Sequence, residues 1–153
     1  MSKITDNIWI GSYYDSTDDH FLKENKITHI LCCAKEFNGL SKNLDASKYI
    51  YERIPLVEQR VGDKRIANWF KKGSDIIDTW VKEDRKILVH CAQGISRSDS
   101  IVLSYLILHK GLTFKQAYHK VKMHRHGIHP YAAFIPVLKS FEGSRRKTRK
   151  ILR

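Results

Sequence analysis

Short apolar runs alternate along the chain with longer amphipathic segments, and this alternation predicts strands alternating with helices. Runs of strand length stand at 7–11, 28–34 and 86–90. The last of them is almost continuously apolar, which is typical of a buried parallel strand. A fourth run, 49–55, mixes polar and apolar residues on both faces and ends at a proline.

Two helices follow from apolar periodicity. Apolar residues recur at helical spacing over 66–81, which predicts a long helix with one face on a core; they are Ile66, Trp69, Phe70, Ile76, Ile77, Trp80 and Val81. The segment Ser98–Leu108 is apolar almost all round and predicts a helix buried on most sides. Gly111 is expected to act as its C-cap.

Capping signals predict the remaining helices. Ser16 and Asp19 have the spacing of an N-terminal cap for a short helix. Thr113 and Gln116 have the spacing of a capping box for a later one. A last helix is expected from about Ala132.

These elements predict a single compact α/β domain with a central, mostly parallel sheet of about five strands flanked by helices. The 153 residues, of which 42% are apolar, suffice for one core. We expect residues 1–143 to form the domain. Residues 144–153 are expected to be a loosely attached basic tail.

The charge is strongly basic and unevenly distributed. The formal net charge is +12, and half of it lies in the tail SRRKTRKILR. Such a balance favours anionic partners, including phosphorylated protein, nucleic acid or acidic lipid, but does not choose among them. For the body of the chain a solvated basic surface explains the charge equally well. The sequence does not indicate an oligomeric state.

Three cysteines are an odd number and do not form a disulfide framework. A reducing compartment is therefore expected. The N-terminal residues lack a signal peptide pattern, and no apolar stretch is long enough to span a bilayer. We expect a cytoplasmic location, with the nucleus as the alternative. Cys32 and Cys33 lie within a predicted strand, so core packing is favoured over a redox role.

The third cysteine begins the most informative segment of the chain. Cys91 follows the predicted strand 86–90, Gly94 allows a tight turn, and a helix is expected to begin near Arg97. Ligands of α/β sheets bind at the carboxyl ends of the strands. The successive amides of Ala92, Gln93, Gly94, Ile95, Ser96 and Arg97 would enter a helix N-terminus and form an anion cradle. Phosphate is the expected guest.

The side chains of this segment suit phosphoryl transfer. A helix N-terminus favours the thiolate form of Cys91, which is a nucleophile. The planar fork of Arg97 can bind two phosphate oxygens and stabilise the transition state. Ser98 can donate a hydrogen bond to the sulfur and help it leave, and His90 could orient the loop.

The segment His90–Ser98 resembles the HCxxGxSRS signature of dual-specificity protein phosphatases, in the cysteine-dependent protein tyrosine phosphatase superfamily. The resemblance extends over residues 4–142, through Ile8–Ser12, Ile27–Leu31, Ser104–Leu106, Val121–Lys122 with Arg125, and Pro130 with Phe134 and Leu138. It implies hydrolysis of phosphotyrosine and of phosphoserine or phosphothreonine in proteins, through a phosphocysteine intermediate. It implies no cofactor and no metal.

The resemblance also implies a general acid on the loop after Pro55, where the family has an aspartate. By register that position holds Glu58, which we favour; Asp63, the only aspartate in a loop longer than usual, is the alternative. Asp99 is a second departure, because the family has a small or apolar residue there. The sequence leaves the orientation of Asp99 open.

Other functions remain open at this stage. A phosphoprotein-binding pseudophosphatase would fit the missing aspartate but not the intact Cys91 and Arg97. Phosphoinositide or RNA 5′-phosphate substrates would fit the basic tail but not the uncharged residues of the loop. A metal site at His124, His126 and His129 is disfavoured because no cysteine or carboxylate completes it. A disulfide between Cys91 and a nearby cysteine, which the resemblance allows, stays a minor alternative.

Overall fold

A five-stranded sheet organises the computed structural model, which describes residues 1–58 and 62–145. The strands are β1 (Ser2–Lys3), β2 (Ile8–Gly11), β3 (His29–Cys32), β4 (Ile50–Arg53) and β5 (Ile87–His90). Their order is β1-β2-β5-β3-β4. Only β1 runs antiparallel to its neighbour, and the other strands are parallel. The predicted mostly parallel sheet of about five strands is therefore confirmed.

Five α-helices flank the sheet in the described residues. They are α1 (Asp19–Glu24), α2 (Asp63–Lys82), α3 (Arg97–Leu108), α4 (Phe114–His124) and α5 (Phe134–Ser140). Short 3₁₀ turns occupy Asp15–Thr17 and Ala46–Lys48. The longest helix, α2, has 20 residues, and no helix of the described ranges combines the length and apolarity needed to cross a bilayer.

The central strand β5 is buried because both faces of the sheet are covered. Ile87 and Val89 point into the larger core, which β5 shares with α2, α3, α4 and α5. Leu88 points into a smaller core on the opposite face, which includes Leu22 of α1. Every residue of β5 is buried, as expected of a parallel strand between two layers. The carboxyl end of β5 is therefore held firmly by its neighbours.

Helix α3 lies inside the larger core. All 12 of its residues are buried, so its continuous apolarity reflects burial on every side and not one amphipathic face. It contacts α2, α4, α5 and β5. The hydroxyl of Ser104 donates to the Ser100 carbonyl at 2.8 Å, which satisfies a polar group in this interior. A helix so enclosed fixes the orientation of its first residue, Arg97.

Two sequence-based assignments of helix ends are wrong. The N-cap of α1 is Asp18, whose side chain accepts the Phe21 amide, whereas Ser16 lies in the preceding 3₁₀ turn. The C-cap of α3 is His109; Gly111 comes two residues later, with φ +74°. In both places the residue with the capping chemistry lies two residues away from the residue that caps the helix. The Thr113 capping box, in contrast, is confirmed in full.

Candidate active site

The segment from Cys91 to Arg97 forms a tight loop between β5 and α3. Cys91 directly follows the last residue of β5, and Arg97 is the first residue of α3. Gly94 adopts φ +71°, a left-handed conformation that favours glycine. A Cβ atom at Gly94 would lie 2.6 Å from the carbonyl oxygen of Gly11. Glycine is therefore required both by the turn and by the close approach of β2.

The loop turns its carbonyl groups outward, away from the sulfur. The Ala92 carbonyl accepts the Tyr13 amide at 2.9 Å, and the Ile95 carbonyl accepts the His129 amide at 2.6 Å. Arg125 donates from Nε to the Gly94 carbonyl at 2.7 Å and from Nη2 to the Gln93 carbonyl at 3.3 Å. Four consecutive carbonyls are thus occupied by neighbours.

One amide of the same loop points to the sulfur. The Gly94 amide donates to Cys91 Sγ at 3.2 Å. The loop then enters the N-terminus of α3, where the helix dipole adds positive potential. Tyr131 donates its amide to Ser96 Oγ at 2.9 Å and so fixes the last residue before the helix. The arrangement has the form expected of an anion-binding loop with a sulfur atom at its base.

Cys91 is 3% exposed at the base of this cradle. Ser98 Oγ, from the first turn of α3, lies 3.2 Å from Cys91 Sγ. His90 Nδ1 lies 3.0 Å from the Cys91 carbonyl oxygen, and burial lowers the pKa of His90. A neutral imidazole here can donate its Nδ1 hydrogen to that carbonyl and hold the start of the loop.

Glu36, a residue that the sequence analysis missed, holds the guanidinium of Arg97. Arg97 Nη1 and Nη2 donate to the two carboxylate oxygens of Glu36 at 2.6 and 2.7 Å. Nη1 also donates to the Leu56 carbonyl at 3.1 Å. The hydrogen bonds from Arg97 lower the pKa of Glu36. Glu36 follows β3, whose carboxyl end lies beside that of β5, so its place after a predicted strand was the signal available.

One edge of Arg97 remains free to bind a ligand. Its Nε is buried and has no hydrogen-bond partner among the described residues. Because Glu36 takes the Nη1/Nη2 end, the Nε/Nη2 edge can donate two parallel hydrogen bonds to a phosphate. A buried donor without a hydrogen-bond partner costs free energy. A bound anion would satisfy it.

A pocket of about 700 Å³ opens above the cradle. Glu36, Val57, Glu58, His129, Tyr131 and Ala132 line it together with the loop. Glu58 is exposed at this pocket, where its carboxyl group can approach a leaving group above Cys91. Asp63 is the first residue of α2, and its side chain lies outside the described part of the structure. The choice between these two carboxylates remains a prediction.

Asp99 faces the interior and not solvent. Its side chain is fully buried, and Ser98 Oγ lies 3.4 Å from its Oδ1. Its Oδ2 has no hydrogen-bond partner in the described part of the chain. Burial raises the pKa of Asp99 to about 7, although the nearby Arg125 charge and the Ser98 hydroxyl favour the ionised form. The orientation that the sequence left open is thereby settled.

The remaining two cysteines lie in the interior of the domain. Cys32 and Cys33 are buried free thiols, and burial raises the pKa of each. Cys32 belongs to the same small apolar cluster as Cys91. In residues 1–58 and 62–145, no group of three or more His, Cys, Asp or Glu side chains is arranged to hold a metal ion.

The placement of Cys91, the loop that follows it and Arg97 indicates a class of phosphatase, and comparison with known proteins identifies the family. Residues 8–144 match the family model for the dual specificity phosphatase catalytic domain, and the chain belongs to this family. It is therefore a cysteine-dependent dual-specificity phosphatase. This agrees with the expectation drawn from the loop signature.

Individual relatives resemble the chain over most of its length. Dual specificity protein phosphatase 1B of Arabidopsis thaliana is 31% identical over 144 residues, covering 94% of this chain and 83% of the relative. The crystal structure of human DUSP28 has a TM-score of 0.83 at 20% identity and covers 94% and 96% of the two chains; at that identity it shows the fold alone. Other relatives are far longer, and this chain covers as little as 13% of one of them.

A third similarity is to a protein that is named for its interactions. The human tyrosine phosphatase-like serine/threonine/tyrosine-interacting protein has a TM-score of 0.82 at 25% identity, covering 94% of this chain and 96% of that one. Proteins similar to this chain therefore include ones named as phosphatases and one named for its interactions.

Proposed function

We propose that this chain hydrolyses phosphate monoesters on tyrosine and on serine or threonine of proteins through a phosphocysteine intermediate. The observation that carries the proposal is the arrangement around Cys91. Its sulfur lies at the base of a loop whose carbonyl groups accept hydrogen bonds from surrounding residues. Arg97, whose Nε is buried and has no hydrogen-bond partner among the described residues, lines the same pocket. Residues 1–143 would form the catalytic unit.

The first step transfers the phosphoryl group to sulfur. The Cys91 thiolate attacks phosphorus, the bond from phosphorus to the ester oxygen breaks, and the departing oxygen takes a proton from Glu58. Inward amides of residues 92–97 and the Arg97 edge bind the equatorial oxygens, on which negative charge is spread. Glu36 positions Arg97 for this contact. Asp63 remains the alternative acid.

The second step releases phosphate. A water molecule attacks phosphorus, its proton passes to the Glu58 carboxylate, and the sulfur–phosphorus bond breaks. Ser98, 3.2 Å from Cys91 Sγ, can donate its hydroxyl hydrogen to the departing thiolate. His90 keeps the start of the loop in place through the Cys91 carbonyl. No other group of the chain is needed to balance the reaction.

The pocket and its charges favour protein substrates. Ala92, Gln93, Ile95 and Ser96 line the pocket from the loop and carry no charge. The acidic side chains at the pocket are Glu58 and Glu36, and Glu36 is paired with Arg97. A polyphosphorylated inositol ring or an RNA triphosphate would find no lysine of the loop to bind its additional phosphates. We therefore favour phosphoproteins as substrates over inositol lipids and RNA. We assign polyanion binding to the basic tail.

Substitution of Cys91 tests the proposal. Cys91→Ser removes the nucleophile but keeps the cradle and Arg97, so turnover of phosphotyrosine and phosphothreonine peptides should fall below about 1% of wild type. Binding of the same peptides should persist. The wild type, quenched in acid during turnover, should carry one phosphoryl group on Cys91 by mass spectrometry. Binding without turnover by the wild type would show a phosphoprotein-binding module instead.

A further inference from the structure

A buried carboxyl group lies next to the hydroxyl group that serves the proposed nucleophile. Ser98 Oγ is 3.2 Å from Cys91 Sγ and 3.4 Å from Asp99 Oδ1. Both Ser98 and Asp99 are fully buried in the first turn of α3. A serine hydroxyl carries one hydrogen, which it can donate to only one of these two neighbours at a time. Whether the Ser98 hydrogen is donated to Cys91 Sγ therefore depends on the protonation state of Asp99.

The two protonation states of Asp99 favour opposite directions of the Ser98 hydroxyl hydrogen. An ionised carboxylate only accepts hydrogen bonds, so it draws the Ser98 hydrogen toward Oδ1 and leaves an oxygen lone pair facing Cys91 Sγ. A protonated carboxyl can donate to Ser98 Oγ, which frees the Ser98 hydrogen for the sulfur. The second arrangement stabilises a thiolate, whereas the first does not.

We propose that Asp99 is a positioning residue that directs the Ser98 hydroxyl hydrogen, and that its protonation promotes breakdown of the phosphocysteine. This inference rests on the function proposed above and adds a role to a side chain that takes no part in the attack on phosphorus. Asp99 forms and breaks no covalent bond to phosphorus or sulfur. The sulfur still leaves as the thiolate, and the proton of the attacking water still goes to Glu58.

The surroundings of Asp99 place its titration near neutral pH. Arg125, which follows α4, and the N-terminus of α3 favour the anion. Cys33, which follows β3, also interacts electrostatically with Asp99 and supplies no positive charge. Burial outweighs the favourable groups and raises the pKa of Asp99 to about 7. The unpartnered Oδ2 shows how little solvation the anion receives within the described part of the chain.

The breakdown of the intermediate can be isolated from its formation. An activated aryl phosphate forms the phosphoenzyme quickly, and rapid acid quench followed by mass spectrometry measures its decay. We would compare wild type with Asp99→Asn between pH 5.5 and 8.5, because the asparagine amide can donate to Ser98 at every pH. Asp78→Asn, on α2, serves as a matched control outside the proposed site.

We expect wild-type breakdown to slow by about tenfold from the acid to the alkaline end, the size of one hydrogen bond to a charged group. Asp99→Asn should lack this decline, and Asp78→Asn should retain it. In a Ser98→Ala background the substitution at Asp99 should no longer change the profile, because the hydroxyl through which Asp99 acts is gone. Retention of the decline in Asp99→Asn would overturn the inference.

Two further outcomes separate this inference from the proposed function. If the Asp99→Asn effect persists in the Ser98→Ala background, Asp99 does not act through Ser98 and the inference is wrong while the phosphocysteine mechanism stands. If no phosphocysteine is trapped in wild type, in Asp99→Asn or in Ser98→Ala, both the mechanism and the inference are wrong.

Discussion

Glu36 is the side chain on which the placement of Arg97 most depends. Its carboxylate takes two N–H groups of the guanidinium and leaves the opposite edge free. Since Arg97 lowers the pKa of Glu36, this pair should persist at pH values where an isolated glutamate would be protonated. The pair is lost only as pH falls through that lowered value.

We predict that Glu36→Gln lowers kcat/KM for aryl phosphates by about 10- to 100-fold, because a misplaced binding group costs up to that much. Glutamine offers Arg97 a single acceptor and no charge. Steady-state kinetics would measure the effect, with Glu52→Gln on the exposed face of β4 as the control. Equal activity of the Glu36 variant and wild type would contradict the positioning role of this carboxylate.

The contribution of Asp99 to stability changes with pH in the direction opposite to that of the Glu36–Arg97 pair. Burial raises the pKa of this carboxyl from its ordinary 3.8 to about 7, so the folded state holds the proton more tightly than the unfolded state. The stabilisation of the folded state by protonated Asp99 is fully present below the ordinary pKa of 3.8, and it is lost as pH rises through about 7. The loss amounts to about 1.4 kcal/mol for each pH unit that separates the folded-state pKa from the unfolded-state pKa.

Asp99→Asn should therefore become progressively more stable, relative to wild type, as pH rises from about 4 to 7, and the difference should level off above that range. Urea unfolding at several pH values measures this difference. Asp6→Asn, which replaces an exposed carboxylate, should not reproduce the slope. A difference independent of pH would show that Asp99 does not titrate in this interval.

The general acid should reveal itself through the leaving group. Serine and threonine alkoxides leave less readily than a phenolate, and a phenolate less readily than nitrophenolate. Glu58→Gln should therefore reduce turnover of phosphothreonine peptide most and of nitrophenyl phosphate least, within the roughly 10²- to 10⁴-fold range of general acid catalysis. If Asp63→Asn shows this graded loss and Glu58→Gln does not, Asp63 is the acid.

At the scale of elements, the loop between β5 and α3 depends on one backbone conformation. Gly94→Ala puts a Cβ on a residue with φ +71° and against the Gly11 carbonyl. The left-handed conformation alone costs about 1–2 kcal/mol, and the clash adds to it. We predict a large loss of phosphate binding and turnover.

Calorimetric titration with phosphate and steady-state kinetics would measure that loss. Gly127→Ala is the matched control, since no atom lies within 4 Å of a Cβ built there. Normal phosphate affinity in Gly94→Ala would mean that the loop tolerates another turn.

The sequence predicted those helices and strands that are determined by the pattern of neighbouring residues. The apolar run of β5, the period of α2 and the capping box at Thr113 all act within a few residues, so each could be predicted and is confirmed. The start of α1 was misplaced because Ser16 and Asp18 are both good caps, and the serine belongs to a 3₁₀ turn that precedes the helix.

The residues of the site also fall into those that local sequence predicted and those that only the tertiary structure revealed. The loop from Cys91 to Ser98 is contiguous, so the sequence displayed all its residues. Glu36 joins it from 61 residues away, and only the pairing of β3 with β5 brings the two together. The inward turn of Asp99 depends on the packing of α3 and carried no local signal.

At the scale of the whole molecule, charge is concentrated where the described structure ends. Of the six basic residues of the tail, only Arg145 belongs to the described residues; it donates to the His109 carbonyl at 3.3 Å, at the end of α3 far along the helix from Arg97. The prediction that residues 144–153 form a loosely attached tail otherwise lies outside the described ranges. The domain without the tail still carries about half the net charge of +12.

Truncation after Gly143 should leave kcat/KM for a small aryl phosphate near the wild-type value, because the pocket above Cys91 contains no residue of the tail among those that the structure describes. Binding to heparin and to vesicles of acidic lipid should weaken and depend less on salt, since fewer counterions are released when fewer cations bind. A full-length variant with the six basic residues changed to glutamine separates loss of charge from loss of chain and should behave like the truncation. Lower activity on the small substrate in the truncated chain, but not in the glutamine variant, would show that these residues support the domain by contact and not by charge.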